Sequence, residues 1–117
     1  MPYSRGDVAL VLFPDSNLRT AKRRPVLAVQ ADDLGTGLNQ TVVAMITSNL
    51  ARAGHPSRVR IAIASPEGRR SGLLSDSVIM TDNLATVLDT EIDRAIGRLE
   101  DMEAVSVALR HTLGLVR

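Results

Sequence analysis

The feature that most constrains the fold is a series of short apolar runs rich in β-branched residues. Each is closed by turn residues before it is long enough to make a stable helix. Residues 8–13 (VALVLF) are continuously apolar, opened by Gly6-Asp7 and closed by Pro14. They predict a buried strand. Residues 25–31 (PVLAVQA) predict a second strand, with Pro25 at its first position, where a missing N–H costs no ladder bond. Residues 41–47 (TVVAMIT) predict a third, on their β-branched content. Residues 58–64 alternate, with Val59, Ile61 and Ile63 against Arg58 and Arg60, which predicts a half-exposed antiparallel strand. Residues 77–80 predict a short fifth strand. The stretches 15–23, 32–39 and 51–57 read as loops, and 65–72 as a basic turn region.

One segment carries a clear helical period. Met102, Val105, Leu109 and Leu113 fall on one face. Acidic residues precede them, Arg110 and His111 close the last turn, and Gly114 follows, a polarity that suits the macrodipole and a glycine stop. Residues 90–99 are ambiguous. Ile92, Ala95, Ile96 and Leu99 keep helical spacing behind Thr90, and the period alone predicts a helix there. The expected class is mainly β with a C-terminal α-helix. With little room for crossover helices, a small barrel is favoured over βαβ units. At 117 residues, with no internal repeat or linker, residues 1–117 read as a single domain.

Composition excludes several chemistries. There is no cysteine, hence no disulfide framework and no thiolate nucleophile. The start, MPYSRGD, turns charged at once and has no apolar core of a signal peptide. No apolar run approaches the roughly 20 residues that span a bilayer, so a cytoplasmic protein without membrane contact is expected. Net charge is +1, but its distribution is uneven. Residues 1–70 carry ten Arg/Lys against five Asp/Glu, and the rest carry four against eight. A basic first part suits an anionic surface such as a phosphate backbone, and it also fits plainly uneven surface charge. All the basic residues but Lys22 are Arg, whose planar fork matches phosphate. Tyr3 and Phe13 are the only aromatics, too few for a broad base-stacking platform.

No HExxH, GxSxG, P-loop or GxGxxG motif is present, and no pair of carboxylates has a metal-binding spacing. No metal or cofactor is expected. His55 and His111 lie far apart in sequence, and both read as surface residues. What remains is Arg, Thr, Ser and Asn at strand ends. Lys22, Arg23 and Arg24 precede strand two, and Thr47, Ser48 and Asn49 follow strand three. If those strands share a sheet in a suitable register, the two clusters meet. Equally, the first fits a solvated strand entrance and the second a turn or cap.

RGDVALVLFP at 5–14, RRPVLAVQ at 23–30, TVVAMITSN at 41–49, SDSVIM at 75–80, IGRL at 96–99 and HTLGLV at 111–116 together resemble the MazF/PemK toxins. The resemblance spans nearly the whole chain, with the blocks in the family's order. It implies an SH3-like antiparallel β-barrel, usually a homodimer, and makes residues 94–99 a strand against the helical period. It implies metal-independent cleavage of single-stranded RNA, with the ribose 2′-OH attacking the adjacent phosphorus. The family's catalytic Arg and Thr correspond to Arg24 and Thr47. Arg19, Lys22, Arg23, Ser48, Asn49, Asp76 and Ser77 are the expected RNA contacts. The expected partner is a cognate antitoxin with a flexible, acidic tail. One departure stands out: where many members carry Gly-Ser-Glu-Gln, the first loop reads DSNLRTAKRRP and has no Glu. That leaves room for a different reading, a catalytically weak or inactive binding protein on the same barrel. A CcdB-like version is disfavoured, since those proteins use a Trp-containing tail and this chain has no Trp.

Overall fold

The computed structural model describes residues 3–14 and 19–115. Asp15 and Val116-Arg117 lie outside the described residues. Six strands form one antiparallel sheet: β1 (Asp7–Pro14), β2 (Ala21–Ala28), β3 (Gln40–Thr47), β4 (Arg58–Ile61), β5 (Ser77–Leu88) and β6 (Ile92–Arg98), in the order β4-β5-β3-β2-β1-β6. Helix α1 (Pro66–Ser71) joins β4 to β5, and α2 (Glu103–Leu113) ends the chain. The expected class, mainly β with a C-terminal helix, is what the chain adopts. Among the described residues, no helix is long and apolar enough to cross a membrane.

Both faces of the sheet are covered, which is why β1 and β3 read as unbroken apolar runs. Val8, Leu27, Ala44, Ile46, Ile79 and Leu99 form one core with Val105 of α2. Ala9, Val11, Val26, Val43, Val87 and Ile92 form the other. Leu27, wholly buried, contributes about 2 kcal/mol by burial alone. In α2, Val105 and Ala108 are buried and Leu109 packs on the first core, but Leu113 is 54% exposed, so the predicted apolar face ends a turn early.

Edge strands β4 and β6 do not pair with each other. Helix α1 lies backbone to backbone on β6. A Cβ at Gly97 would come within 2.3 Å of Ser71 C and O, and one at Gly72 within 2.1 Å of the Ile96 carbonyl oxygen. Only glycine permits that approach from both sides. The basic turn expected at 65–72 is therefore corrected to a helix. Ser65 caps it by accepting from the Gly68 N–H at 2.9 Å, Pro66 opens it, and Gly72 at φ 75° closes it.

Three other boundaries differ. Strand β2 begins at Ala21, so Lys22, Arg23 and Arg24 lie inside it, paired with Phe13, Leu12 and Val11. Strand β4 stops at Ile61. Strand β5 runs on to Leu88 because the register against β3 skips Thr81, Asp82 and Asn83 and then resumes at Leu84↔Ala44. The bulged Thr81 is fully buried. Its N–H and hydroxyl both donate to the Ser57 carbonyl, at 3.0 and 2.7 Å, and its Oγ1 lies 2.8 Å from Thr112 Oγ1 of α2.

Beside the bulge, Arg58 clasps Asp82 through two nitrogens, at 3.1 and 2.6 Å. That hydrogen-bonded clasp holds the Asp82 carboxyl below its ordinary value. A depressed folded-state value means the contribution is complete above the ordinary carboxylate range and disappears as pH falls through the folded-state value. Between neutral pH and strong acid, the urea midpoint of Asp82→Asn is therefore expected to fall less than that of the wild type. Equal falls would remove the clasp from the acid response.

Candidate active site

Strands β2 and β3 pair only over Val26↔Met45, Leu27↔Ala44 and Ala28↔Val43. Carried two residues further, that register sets Arg24 across from Thr47. Backbone pairing has ended by then, and the two strands part. Pro25 stands at the parting, where a missing N–H breaks no bond between β2 and β3. The fork opens a groove of about 540 Å³. Its apolar floor includes Leu10, Pro25, Ile46 and Ile96; Arg23, Arg24 and Arg94 give it charge, and Thr47 and Ser48 supply hydroxyls. The segment from Gly72 to Ser75 forms the far wall, held there by α1 on β6. Leu74, in that wall, is 97% exposed.

The groove thus brings together Arg23, Arg24, Thr47, Ser48 and Ser77 of the expected residues. Thr47 Oγ1 accepts the Asn49 N–H at 3.1 Å, which leaves its own hydrogen to donate to a ligand. Ser77 is buried and gives its hydroxyl to the Ser75 carbonyl at 2.8 Å. The others lie elsewhere. Asn49 caps the single turn of 3-10 helix at Leu50–Arg52 through Ala51 N. Asp76 accepts the Ile63 N–H at 2.8 Å and Arg60 at 3.3 Å, and the Ile63 bond, then Arg60, holds its carboxyl below the ordinary value. Lys22 and Arg19 are exposed and do not line the groove. Arg94 and the Gly72–Ser75 wall were not singled out from the sequence. Arg94 sits in the stretch of ambiguous period, and the wall depends on a helix read as a turn.

Among the described residues, no carboxylate and no histidine lines the groove. The two histidines are exposed, as the sequence suggested, and they meet outside the groove: the rings of His55 and His111 stand edge to face with centroids 6.0 Å apart. His55 Nδ1 accepts the Ser57 N–H at 3.1 Å, a role that ties it to the β5 bulge and not to the groove. Chemically, the groove offers cations and hydroxyl donors over an apolar floor. That combination suits a phosphodiester with an attached base.

The family model described as PemK-like, MazF-like toxin of type II toxin-antitoxin system matches residues 4–113. The chain belongs to this family. Among the relatives of this MazF/PemK-family chain, Endoribonuclease MazF6 of Mycobacterium tuberculosis (strain ATCC 25618 / H37Rv) is 32% identical over 114 residues, spanning 87% of the chain and 100% of the relative. Endoribonuclease EndoA of Bacillus subtilis (strain 168) is 32% identical over 120 residues, spanning 99% and 98%. A solved mycobacterial endoribonuclease in complex with its cognate antitoxin superposes with a TM-score of 0.74 at 21% identity, covering 98% of each chain, a likeness of fold. The MazF/PemK architecture expected from the sequence blocks is the one the chain adopts, as a six-stranded antiparallel sheet with α1 packed on β6.

Proposed function

We propose that this chain is the toxin of a type II toxin–antitoxin pair and acts in the cytoplasm as a metal-independent, sequence-specific endoribonuclease on single-stranded RNA. The observation that carries the reading is the convergence of Arg24 and Thr47 on one groove at the fork of β2 and β3. The 2′-oxygen of the nucleotide before the cut attacks the adjacent phosphorus. The new O2′–P bond forms as the P–O5′ bond breaks; the 2′-hydroxyl loses its proton to water and O5′ gains one from water, leaving a 2′,3′-cyclic phosphate and a 5′-hydroxyl. Negative charge builds on the equatorial oxygens. A guanidinium placed beside those oxygens stabilises that charge more than it stabilises the ground state. Arg24 takes this part, and the Thr47 hydroxyl donates to the same oxygens. A guanidinium has only hydrogen-bond donors and no acceptor, so Arg24 acts on charge and not as a base. DNA, lacking the 2′-oxygen, is spared.

Purified protein mixed with a long single-stranded RNA is expected to make discrete cuts at a rate that EDTA leaves unchanged. Strong inhibition by chelator would overturn the metal-free reading. A second reading, RNA or antitoxin binding without cleavage, is favoured by one observation: the described lining of the groove has no carboxylate and no histidine to take the 2′-hydroxyl proton. RNA that is bound but stays intact would select it.

The proposed partner is an antitoxin with an acidic tail, drawn to the basic first part of the chain and covering the groove. The assembly is proposed to be a homodimer, expected to sediment as such at micromolar concentration. A monomer would remove the second subunit from the RNA surface.

A further inference from the structure

We infer that Asp93 is a positioning residue. It holds Arg23 and Arg94 as a two-guanidinium clamp at the rim of the groove, and this clamp grips a phosphate flanking the scissile one. The inference rests on the RNA-cleaving reading of the groove. Three observations lead to it. First, one oxygen, Asp93 Oδ2, accepts from both sides: from Arg23 Nε at 3.0 Å and from Arg94 Nη1 at 2.7 Å. Each guanidinium spends a single nitrogen there. Both remain more than half exposed, at 59% and 62%, while Asp93 is 34% exposed. Second, Arg23 and Arg94 line the groove with Arg24 although they come from strands at either side of β1. Third, Asp93 is the extra residue of a β-bulge. Strand β1 pairs Leu10 with Arg94 and Val11 with Ile92, so Asp93 has no partner across the ladder. A regular strand sends neighbouring side chains to opposite faces, and a bulge re-aims one of them. Here the irregularity lets adjacent Asp93 and Arg94 meet.

Two guanidinia anchored by one nitrogen each present their other donors as a preset fork, the geometry that phosphate accepts. The reacting phosphate is the part assigned to Arg24 above. The clamp sets where the strand lies, so it acts on binding and not on the chemical step.

The test measures equilibrium binding of a fluorescent, uncleavable 2′-O-methyl RNA oligonucleotide, alongside kcat and KM on the matching cleavable RNA. Arg94→Ala is expected to weaken binding and raise KM about tenfold with kcat within about twofold, and to lower the salt slope of binding by about 0.7. Asp93→Asn is the sharper arm. It adds net positive charge, so if Asp93 merely neutralises the arginines, binding tightens and the inference is overturned. If Asp93 positions them, binding weakens about fivefold at unchanged kcat. An Arg94→Ala protein with wild-type affinity and salt slope also overturns it. Wild-type protein that binds RNA without cutting it removes the ribonuclease reading alone, and the two variants still decide the clamp. Wild-type protein that does not bind RNA overturns both.

Discussion

Replacing Arg24 with alanine is expected to lower kcat for RNA cleavage by about 10²- to 10³-fold, with the circular dichroism spectrum and thermal midpoint unchanged. The size follows from removing the charged donor aimed at the phosphate oxygens, where charge grows most between ground and transition state. The fold survives because Arg24 is exposed and lies in the half of β2 that pairs with β1 alone. Arg24→Lys restores charge without the planar fork and is expected to recover only part of the loss. Full activity in Arg24→Ala with an intact fold would take this residue out of the mechanism.

A large effect on stability is expected at Gly97. An added methyl would stand 2.3 Å from the Ser71 carbonyl and 2.4 Å from that of Arg70. Both are backbone, so no side chain can swing aside. Gly97→Ala is expected to cost about 3 kcal/mol and to lower the thermal midpoint by about 10 °C. The consequence reaches the groove, since pushing α1 off β6 moves the Gly72–Ser75 wall away from Arg94 and Ile96. Differential scanning calorimetry checks the first effect and KM the second. An unchanged midpoint would mean that α1 does not pack on β6 in this way.

How much of this was legible in the sequence depends on what each segment buries. Strands β1 and β3 are sandwiched between two cores, so their apolar runs announce them. The half of β2 from Ala21 to Arg24 pairs with β1 alone and needs no apolar residue, so its Lys and Arg read as loop. Strand β6 shows the more instructive failure. Asp93 and Ile96 are extra residues at two register shifts against β1. They stretch an alternation of two into spacings of three and four, and a strand acquires a helical period. The family resemblance resolved that segment where periodicity misled. In β5, the strand expected to stop at Met80 continues past Thr81-Asp82-Asn83, a bulge that docks under α2. The same docking brings His55 to His111, a contact that no local pattern carries. At the site, Arg24 and Thr47 were readable as strand-end residues of the right chemistry. Their meeting was not, since it depends on the register of β2 against β3.

The most direct test of the account is the chemistry of the cut ends. Protein freed of any antitoxin, with EDTA present, is incubated with a long single-stranded RNA, and the fragments are weighed by mass spectrometry beside an Arg24→Ala control. The account predicts 2′,3′-cyclic phosphate and 5′-hydroxyl ends at discrete positions, lost in the control. RNA left intact by the wild type, or fragments bearing 5′-phosphates, would contradict it.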